Sequence, residues 1–461
     1  MSRSWNTYVP PFACSITMAA LLAACGGGGG GTSGVALPVA APVTTTTTQA
    51  PVVPVVAPPQ PPASPPPAPE PEPAPPAPTC VVDAPALITV DTTAGQEITS
   101  KDTYLPARLT VSATAASPAL DVATGIRGRG NSTWNLPKKP YRLKLDTKAA
   151  VLGLPTEKDW TLLANYTDKT LLRNSVAFCL GSILGMKYVP RSKYAELTLN
   201  GKYEGLYQLT EQIETGPSRV PIGTEDTTTD SGYLLEWDLR RDGDPHFDSD
   251  RGNPYVVKSD ATPAQATAIQ AEINAFETAL FASNFADPAN GYAKYLDVDS
   301  MVDFYLVNEL MRNNDAFFSS TFVFKPRGGK LTFGPLWDFD ITAGNINLSG
   351  NEAPTGFWLN NSSSYVKRLL EDPAFKTKVA ARWKVLSARL PELQTFIDTS
   401  AKTLDAAQKK NFQTWDILTV LVWPNFQINY TYAGEITYLK TWLATRATWL
   451  DGQYAAWATT P

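Results

Sequence analysis

Between Pro38 and Pro78 the chain carries 17 of its 39 prolines, and that density confines everything else about the fold. Each proline removes a backbone donor and fixes φ, so neither a helix nor a central strand can pass through the segment. Six glycines after Cys25 and a threonine run at 44–48 extend the bias, and residues 26–79 read as a Gly/Thr/Pro-rich disordered linker. Its expected form is an extended polyproline spacer, with roughly 40 residues at about 3.1 Å each giving a reach of about 120 Å. A packed body is thereby expected only from about Cys80 onward.

Residues 1–25 read as an export leader. Arg3 gives a positive start, Ile16 to Ala24 is an apolar run, and Leu22-Ala23-Ala24-Cys25 resembles a bacterial lipobox. Cys25 is then the expected lipidation site, which would anchor the protein to a membrane surface without spanning it. The resulting expectation is an exported protein, lipid-anchored in the bacterial cell envelope at the outer membrane or cell surface. A plain secretory leader with a chance cysteine is the simpler alternative. No later apolar run has transmembrane length.

The 461 residues are 43% apolar and 10% aromatic, ample for a packed core. A formal charge of −5 offers no basic surface for nucleic acid. A Ser-His-Asp triad or multi-histidine zinc site would rest on one loop histidine, His246, and both are set aside. Cys80 and Cys179 are the two cysteines of the body; an oxidising compartment would permit a bond, and a buried free Cys179 is the other reading.

The most informative stretch runs from Asn308 to Asn345. Thr321, Val323 and Lys325 alternate with Phe322 and Phe324, PRGG turns the chain, and Lys330 to Phe333 runs back. Asp315 stands before this hairpin, and Asp338 and Asp340 stand after it. A tight turn therefore brings acids 23 residues apart to one end of the ribbon. Clustered carboxylates repel one another and call for a cation or a shared proton. Asp315 also follows a predicted helix from Leu296 to Arg312, whose C-terminal end disfavours a nearby anion.

Five blocks in order give this stretch a context: RGRGNSTWNLPKKPYRLKL (127–145), LLANYTDKTLLRN (162–174), LNGKYEGLYQLTEQIE (199–214), GYLLEWD (232–238) and GPLWDFD (334–340). Together they resemble the CotH kinase family, atypical kinases first associated with spore coats, over roughly residues 83 to 385. The resemblance implies phosphoryl transfer from ATP to Ser or Thr of an envelope or exported protein. It places the catalytic acid on Asp315 and the Mg²⁺ or Mn²⁺ ligand on Asp338, with Asp340 as a second ligand. Arg127, Arg129, Lys139, Lys144 and Arg173 are the candidate nucleotide-binding cations. The hydroxyls of Ser319-Ser320-Thr321 stand where a protein kinase would place a second metal-binding asparagine.

The expected fold is α+β: a bilobal, atypical protein-kinase-like fold with an antiparallel-sheet N-lobe (80–213), an insertion (214–260), and a mainly helical C-lobe (261–461) carrying the acidic hairpin. Within it, Glu196 to Thr210 forms a hairpin about an Asn200-Gly201 type I′ turn. Asp168 to Leu184 and Ala264 to Ala282 are helices. Residues 343–364 form a mobile surface loop. Two other functional classes stay open, a catalytically inactive envelope assembly or scaffold module and a carbohydrate-binding surface protein.

Overall fold

The computed structural model describes residues 80–458 except 224–225, 242–244, 349 and 351. The leader, Cys25 and the proline-rich linker lie outside the described residues. In chain order the strands are β1 (Ala86–Thr92), β2 (Leu105–Val111), β3 (Leu120–Gly128), β4 (Tyr141–Ala149), β5 (Glu157–Leu163), β6 (Ser192–Leu199), β7 (Lys202–Glu211), β8 (Tyr233–Trp237), β9 (His246–Asp248), β10 (Pro254–Val257), β11 (Thr321–Lys325) and β12 (Thr332–Phe333). The helices are α1 (Arg173–Leu184), α2 (Pro263–Phe281), α3 (Val298–Met311), α4 (Leu359–Ser362), α5 (Ser364–Leu369), α6 (Pro373–Ser387), α7 (Leu390–Thr403), α8 (Asp405–Thr414) and α9 (Tyr432–Trp457).

The expected bilobal, kinase-like arrangement is not what the chain builds. Seven strands close into a barrel in the order β1-β2-β3-β4-β5-β7-β6, and a separate five-stranded sheet runs β12-β11-β8-β10-β9. The barrel is mixed, because β6 returns parallel to β1, with Ala86 opposite Ala195 and Val90 opposite Leu199. Alternation along each strand explains why it closes. Ile88 and Val90 on β1, Leu109 and Val111 on β2, and Leu143 and Leu145 on β4 point inward and share one apolar core. Their neighbours Arg142 and Lys144 face outward. The Asn200-Gly201 turn joins β6 to β7 with both residues at positive φ (49° and 76°), as a type I′ hairpin requires.

The second sheet is antiparallel throughout and packs with the helices around a second core. Its centre is β8, flanked by β11 on one side and β10 on the other. Thus the segment expected to be an insertion supplies the strand that carries the acidic hairpin. Helix α3 passes through this core with Met301 to Met311 buried on every side, so its sequence lacks a polar face. Asp297 caps it by accepting from the Ser300 amide. Helix α2 begins in a capping box between Thr262 and Gln265.

Helix α1 starts at Arg173 instead of Asp168. Leu171 adopts a positive φ of 62°, and Asp168 caps from the preceding turn, its Oδ2 accepting from the Arg173 amide at 2.8 Å. Cys80 and Cys179 are joined by a disulfide, which fastens the first described residue to α1. No helix of the described residues is long and apolar enough to cross a membrane.

Candidate active site

A cleft of about 1150 Å³ opens where the end of the barrel meets the second sheet, and Asp315, Asp338 and Asp340 all line it. The hairpin pairs Val323 with Phe333 and Phe324 with Thr332. Asp315 sits in a turn after α3, where its amide donates to Asn313 Oδ1 at 3.0 Å and its carbonyl accepts from the Phe318 and Ser319 amides. Past β12, Asp338 adopts a left-handed φ of 67° and accepts from Ser320 Oγ at 3.2 Å. Ser320 is itself at φ 54° and Phe317 at φ 62°. Non-glycine residues in that region cost free energy, and their concentration around three acids marks an imposed geometry.

The acids act on one another. Burial raises the pKa of Asp315, the Asp338 charge raises it further, and Arg240 opposes both. Burial also raises Asp340, again reinforced by Asp338, while the Thr167 hydroxyl pulls it back. That hydroxyl donates to Asp340 Oδ2 at 3.0 Å. Behind it, Asn345 Nδ2 donates to the Thr167 carbonyl at 2.9 Å and the Asp340 carbonyl at 2.7 Å. Asn425 Nδ2 donates to the same Thr167 carbonyl and to Asn345 Oδ1. Sequence reasoning assigned no role to this asparagine pair. Asn345 closes the informative stretch, but Asn425 lies 80 residues further on and gave no local signal.

Two of the five candidate phosphate-binding cations line the cleft, Arg127 and Arg129. The Arg127 guanidinium lies 5.0 Å from the Tyr104 ring centre, and its Nε is buried without a hydrogen-bond partner among the described residues. Arg129 lies 5.5 Å from the ring centre of Trp337, which immediately precedes Asp338. Burial lowers the Arg129 pKa and the charges of Asp338 and Glu236 raise it, so the guanidinium borders the acids. The loop holding both arginines needs its glycines. A Cβ on Gly128 would stand 2.4 Å from the Trp134 ring, and Gly130 has φ 83°.

The other three are placed differently. Lys139 Nζ donates to the Trp134 carbonyl at 2.6 Å, closing the arginine loop from outside the cleft. Lys144 is exposed on the outer face of β4. Arg173 is wholly buried, paired with Asp168 at 2.6 Å, and donates from Nε to the Thr342 carbonyl at 2.9 Å. It holds the chain just past Asp340 and does not line the cleft.

The stretch after the acids is also braced, where a mobile surface loop was expected. Arg446 on α9 donates to the Gly356 carbonyl at 2.6 Å and pairs with Glu309 at 2.7 Å. Glu309 in turn accepts from the Trp358 and Leu359 amides. Trp442 Nε1 donates to the Glu352 carbonyl. These partners come from α3 and α9, far away in sequence.

Among the described residues no three His, Cys, Asp or Glu side chains form a ready-made metal cage. The donor set still suits a hard divalent cation. Mg²⁺ is ordinarily held by one or two carboxylates together with substrate phosphate oxygens, and like-charge repulsion among these three acids would be relieved by such an ion.

The family model described as CotH kinase protein matches residues 126–450, a span that takes in the arginine loop, the acidic hairpin and most of α9. No curated protein matches the chain.

Proposed function

Taking as premise that the chain belongs to the CotH kinase protein family, we propose that it transfers a phosphoryl group from a nucleotide, ATP foremost, to a Ser or Thr hydroxyl of an envelope or exported protein. The observation that carries this reading is the meeting of Asp315 with Asp338 and Asp340 in one cleft bordered by Arg127 and Arg129.

In this reading Asp315 orients the acceptor hydroxyl and takes its proton as the oxygen attacks the γ-phosphorus. The bond between that phosphorus and the bridging oxygen breaks, and the nucleoside diphosphate leaves. A carboxylate whose pKa is raised by burial is a better base near neutrality than an exposed one. Asp338 and Asp340 would hold Mg²⁺ or Mn²⁺, which supplies positive charge across the phosphate oxygens when bound. Arg127 and Arg129 offset the charge that develops on the transferring group. Ser320 and Thr167 keep the two ligand carboxylates aimed through their hydroxyl donations.

Lipid anchoring at Cys25 would place this chemistry at the cell envelope, with acceptors among proteins of the same compartment. The deciding experiment is thermal unfolding of the purified protein with ATP plus Mn²⁺, beside Asp338→Ala. A ligand at about 100 times its Kd contributes roughly 2.7 kcal/mol, a shift of a few degrees. A shift that requires both metal and Asp338 supports the reading. A folded protein that shifts with no nucleotide overturns it in favour of a scaffold module.

A further inference from the structure

The lysines near the cleft differ in what their ammonium groups already hold. Lys138 Nζ is buried between the Leu206 carbonyl at 2.5 Å and Asn411 Oδ1 at 2.9 Å, where it ties β7 to α8. Lys258, one residue past β10, lines the cleft with 27% of its side chain exposed, and its Nζ pairs with Glu236 Oε2 at 3.0 Å. An ammonium has three donors, and one carboxylate oxygen occupies one of them.

Glu236 stands on β8 at the centre of the second sheet, opposite Val256 on β10 and opposite Phe322 on β11. Facing partners in an antiparallel pair share a side of the sheet, so Glu236 and Phe322 are presented together, and both line the cleft. Burial and the charges of Asp238 and Asp338 both disfavour its ionised form, while Lys258 favours it. The backbone ladders to β10 and β11 already hold β8, so strand pairing does not need this ion pair. A half-buried pair set beside an acid cluster does little to brace a sheet.

We propose that Lys258 is the lysine that contacts the donor's phosphate oxygens, with Glu236 as its positioning residue. The inference rests on the phosphoryl-transfer reading above and deepens it by naming a binding group. One proton of the ammonium stays on Glu236 and the others turn into the cleft, where the Arg129 guanidinium borders the same space. Glu236 limits the reach of a flexible four-carbon stem, and the ammonium acts as a compact point charge.

The test titrates the full chain calorimetrically with inorganic tripolyphosphate plus Mn²⁺ and with ATP plus Mn²⁺. Wild type is compared with Lys258→Met, Lys258→Arg, Glu236→Gln and the double variant Lys258→Met/Glu236→Gln. The double variant leaves neither charge of the pair behind, so it keeps the test valid if Lys258→Met alone fails to fold. Losing a charge-assisted contact is expected to weaken both ligands about tenfold or more in Lys258→Met and in the double variant. Lys258→Arg is expected to retain most of the affinity. Glu236→Gln is expected to raise KM for the donor with little change in kcat, a split that mere loss of sheet stability does not produce. A folded double variant that binds tripolyphosphate as tightly as wild type overturns the proposal. If ATP binds independently of Lys258, this inference fails and the nucleotide reading stands. If tripolyphosphate binds through Lys258 and ATP does not bind, the nucleotide reading fails and this inference stands. If wild type binds neither, both fall.

Discussion

The Thr167 hydroxyl donates to Asp340 Oδ2 across 173 residues of sequence, and it is a neutral donor opposing the pKa rise that burial and Asp338 impose on that acid. Thr167 follows the barrel strand β5, and Asp340 follows the second sheet. This hydrogen bond, like that from Asn345 Nδ2 to the Thr167 carbonyl, joins the two halves of the fold at the site.

Thr167→Val removes that donor and keeps the shape. The Asp340 pKa then moves further up, so the ionised form needed for cation binding is reached only at higher pH. We expect the Mn²⁺-dependent rise in melting temperature to set in at higher pH than in wild type, read across pH 6 to 9. The expected cost in stability is about 1–2 kcal/mol.

Asp315→Asn keeps the side-chain volume and cannot accept the acceptor's proton. Turnover is expected to fall by about 10²–10⁴-fold. Affinity for ATP plus Mn²⁺ should stay near wild type or rise slightly, because a like charge beside Asp338 has been removed. Single-turnover kinetics beside calorimetry check the split.

Gly128→Ala places a methyl carbon where the Trp134 ring stands, at 2.4 Å. Overpacking of this kind costs about 1–3 kcal/mol. Because the same loop presents Arg127 and Arg129, ATP affinity should fall together with stability, and denaturant midpoints measured beside titrations will show both.

Arg173→Met leaves the Asp168 side chain without its ion-pair partner in a site with no exposure. Breaking a buried pair in this way costs about 3–5 kcal/mol. Chemical denaturation should show the loss, and Asp168→Asn added to Arg173→Met should recover part of it.

Glu214, which does not itself line the cleft, supplies a second pH signature. Burial first, and then the charge of Asp159, push its pKa from 4.5 to about 7. The folded state holds this proton more tightly than the unfolded chain, so its contribution to stability is full below pH 4.5 and is lost as pH rises toward 7. Glu214→Gln should flatten that decline and exceed wild-type stability at pH 8 by on the order of 2 kcal/mol.

What the sequence disclosed follows from distance along the chain. The Asn200-Gly201 turn and the acidic hairpin are set by neighbours within a few residues, and each is found where its local signal places it. The parallel pairing of β1 with β6 closes the barrel between residues more than 100 apart, and no turn residue announces it. For the same reason β8 read as part of an insertion although it is the middle strand of the sheet. Direction is a second limit. Lys138 and Lys139 are adjacent and chemically identical, yet one reaches Leu206 and Asn411 while the other closes back on Trp134. Charge along a sequence says that cations are present; only the packed sheets say which of them face the cleft.

The disulfide at Cys80 also fixes where a mechanical load enters the fold. Tension arriving at Cys80 from the N-terminal side passes through Cys179 into α1 before it can peel β1 from its neighbours one hydrogen bond at a time. On that helix, five residues before Cys179, Asn174 accepts from the Phe339 amide at 2.8 Å, between Asp338 and Asp340. A pull on the protein is thus borne by the helix that steadies the acidic turn, and reducing the bond would transfer that load to β1 and its ladders with β2 and β6.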